Sequence, residues 1–199
     1  MQDNPGGGGA GDTTGLLHAL LDADAAGTLK AEALVVHIKD PVSAGRAHTA
    51  GLGKTVDGPL GGGSDDGGDP PVRGPFTVEA LGDGAFTGEG PMYGGNAIRL
   101  GRVVLLSRGR VRVIVAERAM QASEPALLRH LGLDPHGARI LVVKSAVHFR
   151  GAYGETAHAI LLAKAPGRVT ADPADLTYAR VTRRPAGGVR AEPSKSQAA

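Results

Sequence analysis

The spacing of apolar residues predicts a helix directly after a glycine-rich opening. Leu-Leu pairs at residues 16–17 and 20–21 recur four positions apart, so they share one helical face. The residues at 12–14, Asp-Thr-Thr, precede these pairs, and such side chains cap helix N-termini. The opening loop, with glycines at positions 6–9 and 11, is therefore predicted to lead into a helix N-terminus.

Two short apolar runs predict strands that are buried on both faces. Residues 33–38 read ALVVHI and residues 140–143 read ILVV, and both runs are too short for a helix. Asp40 and Pro41 end the first run and begin a second predicted helix, which Gly51 stops.

The middle of the chain has the pattern of antiparallel sheet. Apolar and polar positions alternate over residues 76–80, and after an Asp-Gly turn residues 85–89 are predicted to return beside them. Residues 98–106 and 111–117 predict a second hairpin around an Arg-Gly turn.

Helical signals return near the end of this sheet region. Ser123 is predicted as the N-cap of a third helix and Gly132 as its C-cap. Residues 153–158 predict another short helix, and residues 159–163 (AILLA) predict a closing strand. The predicted fold class is α/β in its mixed α+β form: a mixed sheet with antiparallel hairpins in the middle and short flanking helices.

Length and composition fit one domain with an aliphatic core. The chain has 199 residues, of which 41% are hydrophobic but only 3% aromatic, so Val, Leu, Ile and Ala must fill the interior. The 32 glycines and 13 prolines predict long irregular loops, the clearest at residues 58–71. We expect one domain over residues 1–185 and a disordered tail over residues 186–199.

The charge distribution argues against a nucleic-acid partner. The 22 basic residues are balanced by 20 acidic ones along the same chain, whereas nucleic-acid-binding proteins concentrate basic residues on one face, with aromatic residues for stacking. The sequence has no cysteine and no run of the roughly 20 apolar residues that cross a bilayer, and its polar, glycine-rich opening does not favour export. We expect a soluble cytoplasmic protein with neither a nucleic-acid nor a membrane partner.

The glycine loop is the first candidate binding site. Glycines allow backbone N–H groups to converge, and the following helix adds the partial positive charge of its N-terminus, so an anion or carboxylate could be held there. Asp3, Asn4 and Asp12 flank the loop and can orient a water or a substrate amide. A match to G-x-G-x-x-G is nearly automatic in a glycine run and is weak as a dinucleotide motif. A flexible terminal linker is the alternative interpretation.

Residues 144–150 (KSAVHFR) hold the second concentration of reactive side chains. They follow the apolar run at 140–143 directly, and open α/β sheets place their sites at the carboxyl ends of such strands. Lys144 and Arg150 can bind a carboxylate, and His148 can donate or accept a proton near neutral pH. The alternative is an ordinary strand end with solvated charges.

The sequence contains no readable metal site or serine-hydrolase site. It has neither H-E-x-x-H nor G-x-S-x-G, and its histidines form no ligand pair at helical spacing with a carboxylate. His37 stands inside an apolar run and is predicted to be a core residue rather than a ligand.

Four segments are similar to one known family. QDNPGGGGAGD stands at residues 2–12 with TTGLLHALL after it, GPMYGG at 90–95, LGLDP at 131–135 and ILVVKSAVHFRGAY at 140–153. The first and last are specific. In this order, over about residues 2 to 185, the chain resembles the C-terminal domain of the microcystinase C (MlrC) family of metallopeptidases.

The resemblance implies a zinc-dependent hydrolase whose metal ligands, an Asp and two His, lie in a larger N-terminal domain that this sequence lacks. Zinc is thus implied for the full-length family, and we expect none to bind this chain alone. The implied partners are a zinc-binding N-terminal domain or subunit and a peptide substrate. His148 is the implied catalytic residue, and the implied substrate-binding residues are Asp3, Asn4, Gly6, Gly7, Gly8, Asp12, Lys144, Ser145 and Arg150.

The sequence therefore predicts the substrate-binding accessory domain of an MlrC-like zinc metallopeptidase that hydrolyses linear peptides or related amides, inactive alone. One alternative is a non-catalytic interaction module that binds a partner through the former domain interface. A third interpretation is anion or nucleotide binding at the glycine loop. The first interpretation requires Asn4 and His148 to lie on the same side of the molecule.

Overall fold

The computed structural model describes residues 3–64 and 68–169, and eight strands lie within them. They are β1 Ala33–Lys39, β2 Thr55–Val56, β3 Phe76–Gly82, β4 Ala85–Thr87, β5 Ala97–Arg99, β6 Val103–Arg108, β7 Val111–Ala116 and β8 Ile140–Val143. Six of these form one sheet in the order β2-β3-β6-β7-β1-β8, while β4 and β5 form a small second sheet. β1 is parallel to β7 and β8, and the other neighbours are antiparallel. The predicted mixed α/β fold is confirmed.

Short helices flank the sheet: α1 Gly15–Ala25, α2 Pro41–Ala50, α3 Pro125–His130 and α4 Phe149–Tyr153. The predicted first two helices are confirmed. The Asp40 carboxylate accepts the Ser43 N–H at 2.9 Å and so caps α2, and Gly51 ends that helix with a φ of 90°. No helix in the described part of the chain has the length and apolarity to cross a membrane.

The core has two apolar layers, one on each face of the sheet. The alternating side chains of the central strands divide between them: Val35, Ile38 and Val113 face α1 and α2, whereas Leu34 and Ile114 face α3. β1 therefore reads as a continuous apolar run because both of its faces are covered. His37 is 2% exposed and lies in this interior, as predicted.

The predicted hairpin of residues 76–80 with 85–89 is wrong. β3 pairs with β2 and β6, whereas β4 pairs with β5. Both sides of β3 are therefore occupied, and the turn at Gly84, which has a φ of 67°, turns the chain away from the sheet. The predicted strand at residues 98–106 is also divided, since Gly101, with a φ of 71°, separates β5 from β6.

The predictions after β8 also need correction. The short helix is α4, which ends before Gly154, instead of residues 153–158. Residues 159–163 form no strand, and Leu161 and Leu162 are 90% and 69% exposed. The apolar composition of residues 159–163 fits a strand, but these residues do not pair with the sheet. The outer edge of β8, the last strand in the sheet order, is therefore unpaired within the described residues. The predicted domain boundary and tail at 185–199 lie outside the described residues.

Candidate functional site

The candidate site lies at the carboxyl edge of the parallel strands. Because β7, β1 and β8 run parallel, the segments that follow them emerge at the same edge of the sheet. The opening loop crosses this edge, where the Lys39 N–H donates to the Gly11 carbonyl at 2.9 Å. Residues 144–148 leave β8 beside it. The sheet thus brings both predicted segments together.

A buried ion pair joins the two segments. Lys144 Nζ lies 2.5 Å from Asp3 Oδ2, and the two side chains are only 5% and 1% exposed. Lys144 also donates to the Thr13 carbonyl at 2.7 Å and to Thr13 Oγ1 at 3.2 Å. Its ammonium therefore has three protein acceptors, and in this conformation it orders the opening loop.

Asp3 is the centre of that loop's hydrogen bonding. Its Oδ1 accepts the Gly11 N–H at 2.7 Å, and its Oδ2 accepts the N–H and the hydroxyl of Thr13 at 2.9 and 2.7 Å. Burial alone would raise the pKa of the Asp3 carboxyl, but the charge of Lys144 and these hydrogen bonds outweigh it and hold that pKa below its usual value. Asp3 is therefore ionised at neutral pH.

The glycine turn is held by its own acceptors. Asn4 Oδ1 accepts the Gly6 N–H at 3.0 Å, and the Asn4 carbonyl accepts from Gly7 and Gly9. Gly8, with a φ of 95°, donates to the Pro5 carbonyl. The sequence suggested that these amides converge on an anion, but in the structure they close a single 3-10 turn. The turn instead presents the bare α-carbon of Gly6 to its neighbour, Gln121.

Gln121 connects the glycine turn to His148. A Cβ at position 6 would lie 2.2 Å from Gln121 Oε1, so the glutamine packs directly on Gly6. On its other side, Gln121 Nε2 lies 2.8 Å from Ser145 Oγ and 2.9 Å from His148 Nδ1. Asn4 and His148 are thus on the same side of the molecule, linked through Gly6 and Gln121.

Gln121 was not among the predicted site residues, because the signal that identifies it depends on how β7 is paired. The residue follows β7, and the rule that directed attention to residues 144–150 after β8 applies equally to residues 117–124. The sequence predicted only an antiparallel hairpin partner for β7, whereas β7 also pairs with β1 in parallel.

The start of α4 carries the exposed side chains of the site. His148 and Arg150 are exposed, while Phe149 and Tyr153 are buried and anchor the helix. Ser145 Oγ accepts the Phe149 N–H at 3.2 Å, which fixes the turn between β8 and α4. This arrangement leaves the imidazole of His148 and the guanidinium of Arg150 open to a ligand.

Asp12 connects the site to the irregular loop of residues 58–71. Its Oδ1 accepts the Ser64 hydroxyl at 2.8 Å, and its carbonyl accepts the Gly62 N–H at 2.7 Å. The side chain is 7% exposed. Asp12 therefore holds Gly62 and Ser64 of this loop against the opening segment.

The side chains described do not match a metal centre. No group of three His, Cys, Asp or Glu within residues 3–64 and 68–169 is arranged to hold a metal ion.

The buried His37 is a neutral core residue. Its Nε2 lies 3.2 Å from the Arg118 carbonyl, and its Nδ1 has no hydrogen bond within residues 3–64 and 68–169. Burial, opposed by that bond and aided by the Lys144 charge, lowers the pKa of His37 to about 4, so the ring is neutral at pH 7.

Comparison with known proteins connects this edge to a family. Microcystinase C from Sphingomonas sp. is 32% identical over 161 residues, which are 80% of this chain and 30% of that protein. A crystal structure of a candidate metallopeptidase from Mesorhizobium sp. BNC1 superposes with a TM-score of 0.74 at 25% identity, covering 84% of this chain and 33% of the other. The chain thus spans about a third of these relatives. The family model described as the MlrC C-terminus matches residues 1–180, and the chain belongs to this family.

Proposed function

We propose that this chain supplies the substrate-facing surface of a metallopeptidase that hydrolyses linear peptides or related amides. The observation that carries the proposal is a chain of contacts from Gly6 through Gln121 to His148. Through these contacts, the opening segment at residues 2–12 and the segment at residues 140–153, both of which resemble the family, meet at one edge of the sheet. Relatives described as a microcystinase and a metallopeptidase support the reaction class.

Within this surface, the exposed and buried residues have different proposed roles. His148 and Arg150 bind the substrate: the imidazole meets a carbonyl or developing oxyanion, and the guanidinium meets a carboxylate. The remaining residues hold that surface in shape, namely Asp3, Asn4, Gly6, Gly7, Gly8, Asp12, Lys144 and Ser145. The five side chains among them that are polar are buried and hydrogen-bonded, and the three glycines form the closed turn, which supports this division.

The zinc implied by the family resemblance would be held by another part of the enzyme. Within residues 3–64 and 68–169 no three His, Cys, Asp or Glu side chains are grouped to hold a metal ion, and the relatives are about three times as long as the matched region. A metal-binding domain or subunit is therefore the partner that we propose. On this basis, the chain alone is inactive.

A chimera tests the proposal. Residues 1–180 of this chain replace the matching segment of Microcystinase C, and peptide hydrolysis is measured. We expect the chimera to be active, and His148→Asn or Arg150→Ala to lower kcat/KM about 10- to 100-fold, the range for a lost hydrogen bond to a charged group. Arg139→Ala is the matched control, because Arg139 is exposed and directly precedes β8, at the opposite edge of the sheet. A folded, active chimera in which all three variants behave alike contradicts the proposal.

A partner-binding module without catalysis is the second candidate function. The observation that favours it is Val147, which is 63% exposed beside His148, in the position of an apolar contact for another protein. The chimera separates the two functions: a chain that assembles with the rest of the enzyme but restores no hydrolysis supports the module.

A further inference from the structure

Gln121 is buried at the centre of the candidate site and contacts His148, one of the two residues proposed to bind substrate. It is 2% exposed and follows β7 at the carboxyl edge. Its side chain lies between the glycine turn and the start of α4. A buried amide in this position must satisfy its N–H groups, and the way it does so has a chemical consequence for His148.

The amide nitrogen of Gln121 meets two acceptors. One lies at Ser145 Oγ, 2.8 Å away, and the other at His148 Nδ1, 2.9 Å away. An amide NH₂ group has two protons and no acceptor lone pair, so each proton serves one of these contacts. His148 Nδ1 must therefore be the unprotonated nitrogen of a neutral ring.

This assignment determines which nitrogen carries the ring proton. A neutral imidazole has one N–H, and with Nδ1 accepting from Gln121 the proton lies on Nε2. The exposed ring then presents a donor to a ligand. In this form Nε2 cannot accept a proton from a substrate water, so general-base action at that atom is excluded.

We propose that Gln121 is a positioning residue that fixes neutral His148 in the Nε2–H tautomer, so that His148 donates a hydrogen bond to a substrate carbonyl or carboxylate. The inference rests on the proposed function for the role of the hydrogen bond, whereas the tautomer is a property of the chain alone. The glycine at position 6 serves the same arrangement, because a Cβ there would occupy the place of Gln121 Oε1.

Nitrogen NMR of the uniformly ¹⁵N-labelled chain tests the tautomer directly. The ring signals of His148, assigned by their loss in His148→Asn, are recorded above the pH at which histidines titrate. We expect Nδ1 to appear as the unprotonated nitrogen and Nε2 as the protonated one. Nδ1–H in the unaltered chain overturns the proposal, because it means that the amide of Gln121 faces the ring with its oxygen.

Gln121→Glu provides the second arm. The carboxylate keeps the shape of the amide but can only accept, so we expect Nδ1 of His148 to become protonated. In the chimera with Microcystinase C, the same change should lower kcat at least about tenfold, as loss of a ring-orienting partner does. In a chimera that already carries His148→Asn, Gln121→Glu should not lower kcat further.

The outcomes distinguish the two proposals. If the tautomer is as expected but His148→Asn leaves peptide hydrolysis unchanged, the proposed function fails while the geometry of Gln121 stands. If His148→Asn impairs hydrolysis but Gln121→Glu neither moves the Nδ1 signal nor lowers kcat, the positioning role of Gln121 fails.

Discussion

The pair of Asp3 and Lys144 shows most clearly how single residues build the site. The two side chains are almost fully buried, and a buried charge without its partner is strongly destabilising. Their bond joins the first described residue to the end of β8. The opening segment is thereby a part of the fold rather than the flexible linker that composition alone allowed.

Replacing Lys144 by Met should destabilise the chain by about 3 to 5 kcal/mol, because Asp3 then remains as an uncompensated buried charge. Urea unfolding followed by circular dichroism measures the change. Lys30→Met is the control: Lys30 is exposed and donates to the exposed Gly27 carbonyl, so its loss should change stability by about 0.5 kcal/mol or less. Equal effects of the two variants would show that the buried pair is not formed.

The same pair predicts a pH dependence. The pKa of Asp3 is lower in the folded chain than in the unfolded one, so its ionised form stabilises the fold above the unfolded value of about 3.9, and this stabilisation is lost as the pH falls through the folded value. The difference in unfolding free energy between the unaltered chain and Asp3→Asn should therefore shrink as the pH is lowered below about 4. A difference that stays constant over that range would contradict the assignment.

Gly6 and Gln121 provide a second test at the residue scale. Gly6→Ala should displace the Gln121 side chain and destabilise the chain by about 1 to 3 kcal/mol, as overpacking does. The displacement is measured as a shift of the Gln121 side-chain amide signals in NMR. Gly63→Ala is the matched control, because a Cβ there would make only an ordinary contact of 3.9 Å with Asp12. Unmoved Gln121 signals in Gly6→Ala would disprove the contact.

At the scale of elements, Glu124 connects α3 to the turn that precedes β5. The carboxylate is 1% exposed and accepts the N–H groups of Glu89, Gly90 and Ala126 at 2.9 to 3.1 Å. It therefore caps α3 and fixes the GPMYGG turn with one side chain. Through Pro91, which faces Gly151, that turn also supports α4 beneath the site.

Glu124→Ala should destabilise the chain by at least about 2 kcal/mol, because three amides, two of them buried, lose a charged acceptor. The unfolding free energy of Glu124→Gln should lie between those of the unaltered chain and Glu124→Ala, since glutamine keeps one acceptor oxygen. Urea unfolding gives the free energies, and hydrogen exchange of the Gly90 amide reports the local loss. Glu117→Gln serves as control, because the bond of Glu117 to Arg102 is exposed and worth about 1 kcal/mol or less. A Glu124→Ala variant no less stable than this control would contradict the role.

The local elements could be predicted from sequence because their signals are local. β1 and β8 were identified from apolar runs, and α2 from its Asp40 cap, its Pro41 start and the glycine that stops it. The partner of β4 could not be predicted in this way, because strand pairing depends on which neighbours are already occupied. The apolar run at 159–163 failed for the related reason that composition does not supply a pairing partner.

The candidate site likewise contains residues that the sequence predicted and residues that it did not. Residues 144–150 were identified because they follow an apolar run that predicted a buried strand, although β8 is only partly buried, and their approach to the opening loop was expected from the resemblance. Gln121 was missed, because recognising it required knowing that β7 lies parallel to β1. The internal bonding of the Gly6 to Gly9 amides was missed as well, since a glycine run fits many turns and only the Asn4 contacts select one.

At the scale of the whole molecule, polar and apolar exposed groups occur together near one edge. His148 and Arg150 are exposed beside Val147, and further along the chain Leu161 and Leu162 are also exposed. The chain spans about a third of the length of the relatives that it matches, and we propose that the metal-binding part of the enzyme packs against these residues. Without that domain, we expect the apolar side chains to promote self-association, which gel filtration over a range of concentrations would detect.

The central claim, that the edge formed by residues 3–12 and 144–150 faces the substrate, is tested most directly by a crystal structure of the Microcystinase C chimera with an uncleaved peptide bound. The account predicts that the peptide lies between this edge and the metal-binding part, with His148 Nε2 or the Arg150 guanidinium within hydrogen-bonding distance of it. A peptide bound elsewhere, with this edge turned to solvent, would contradict the account.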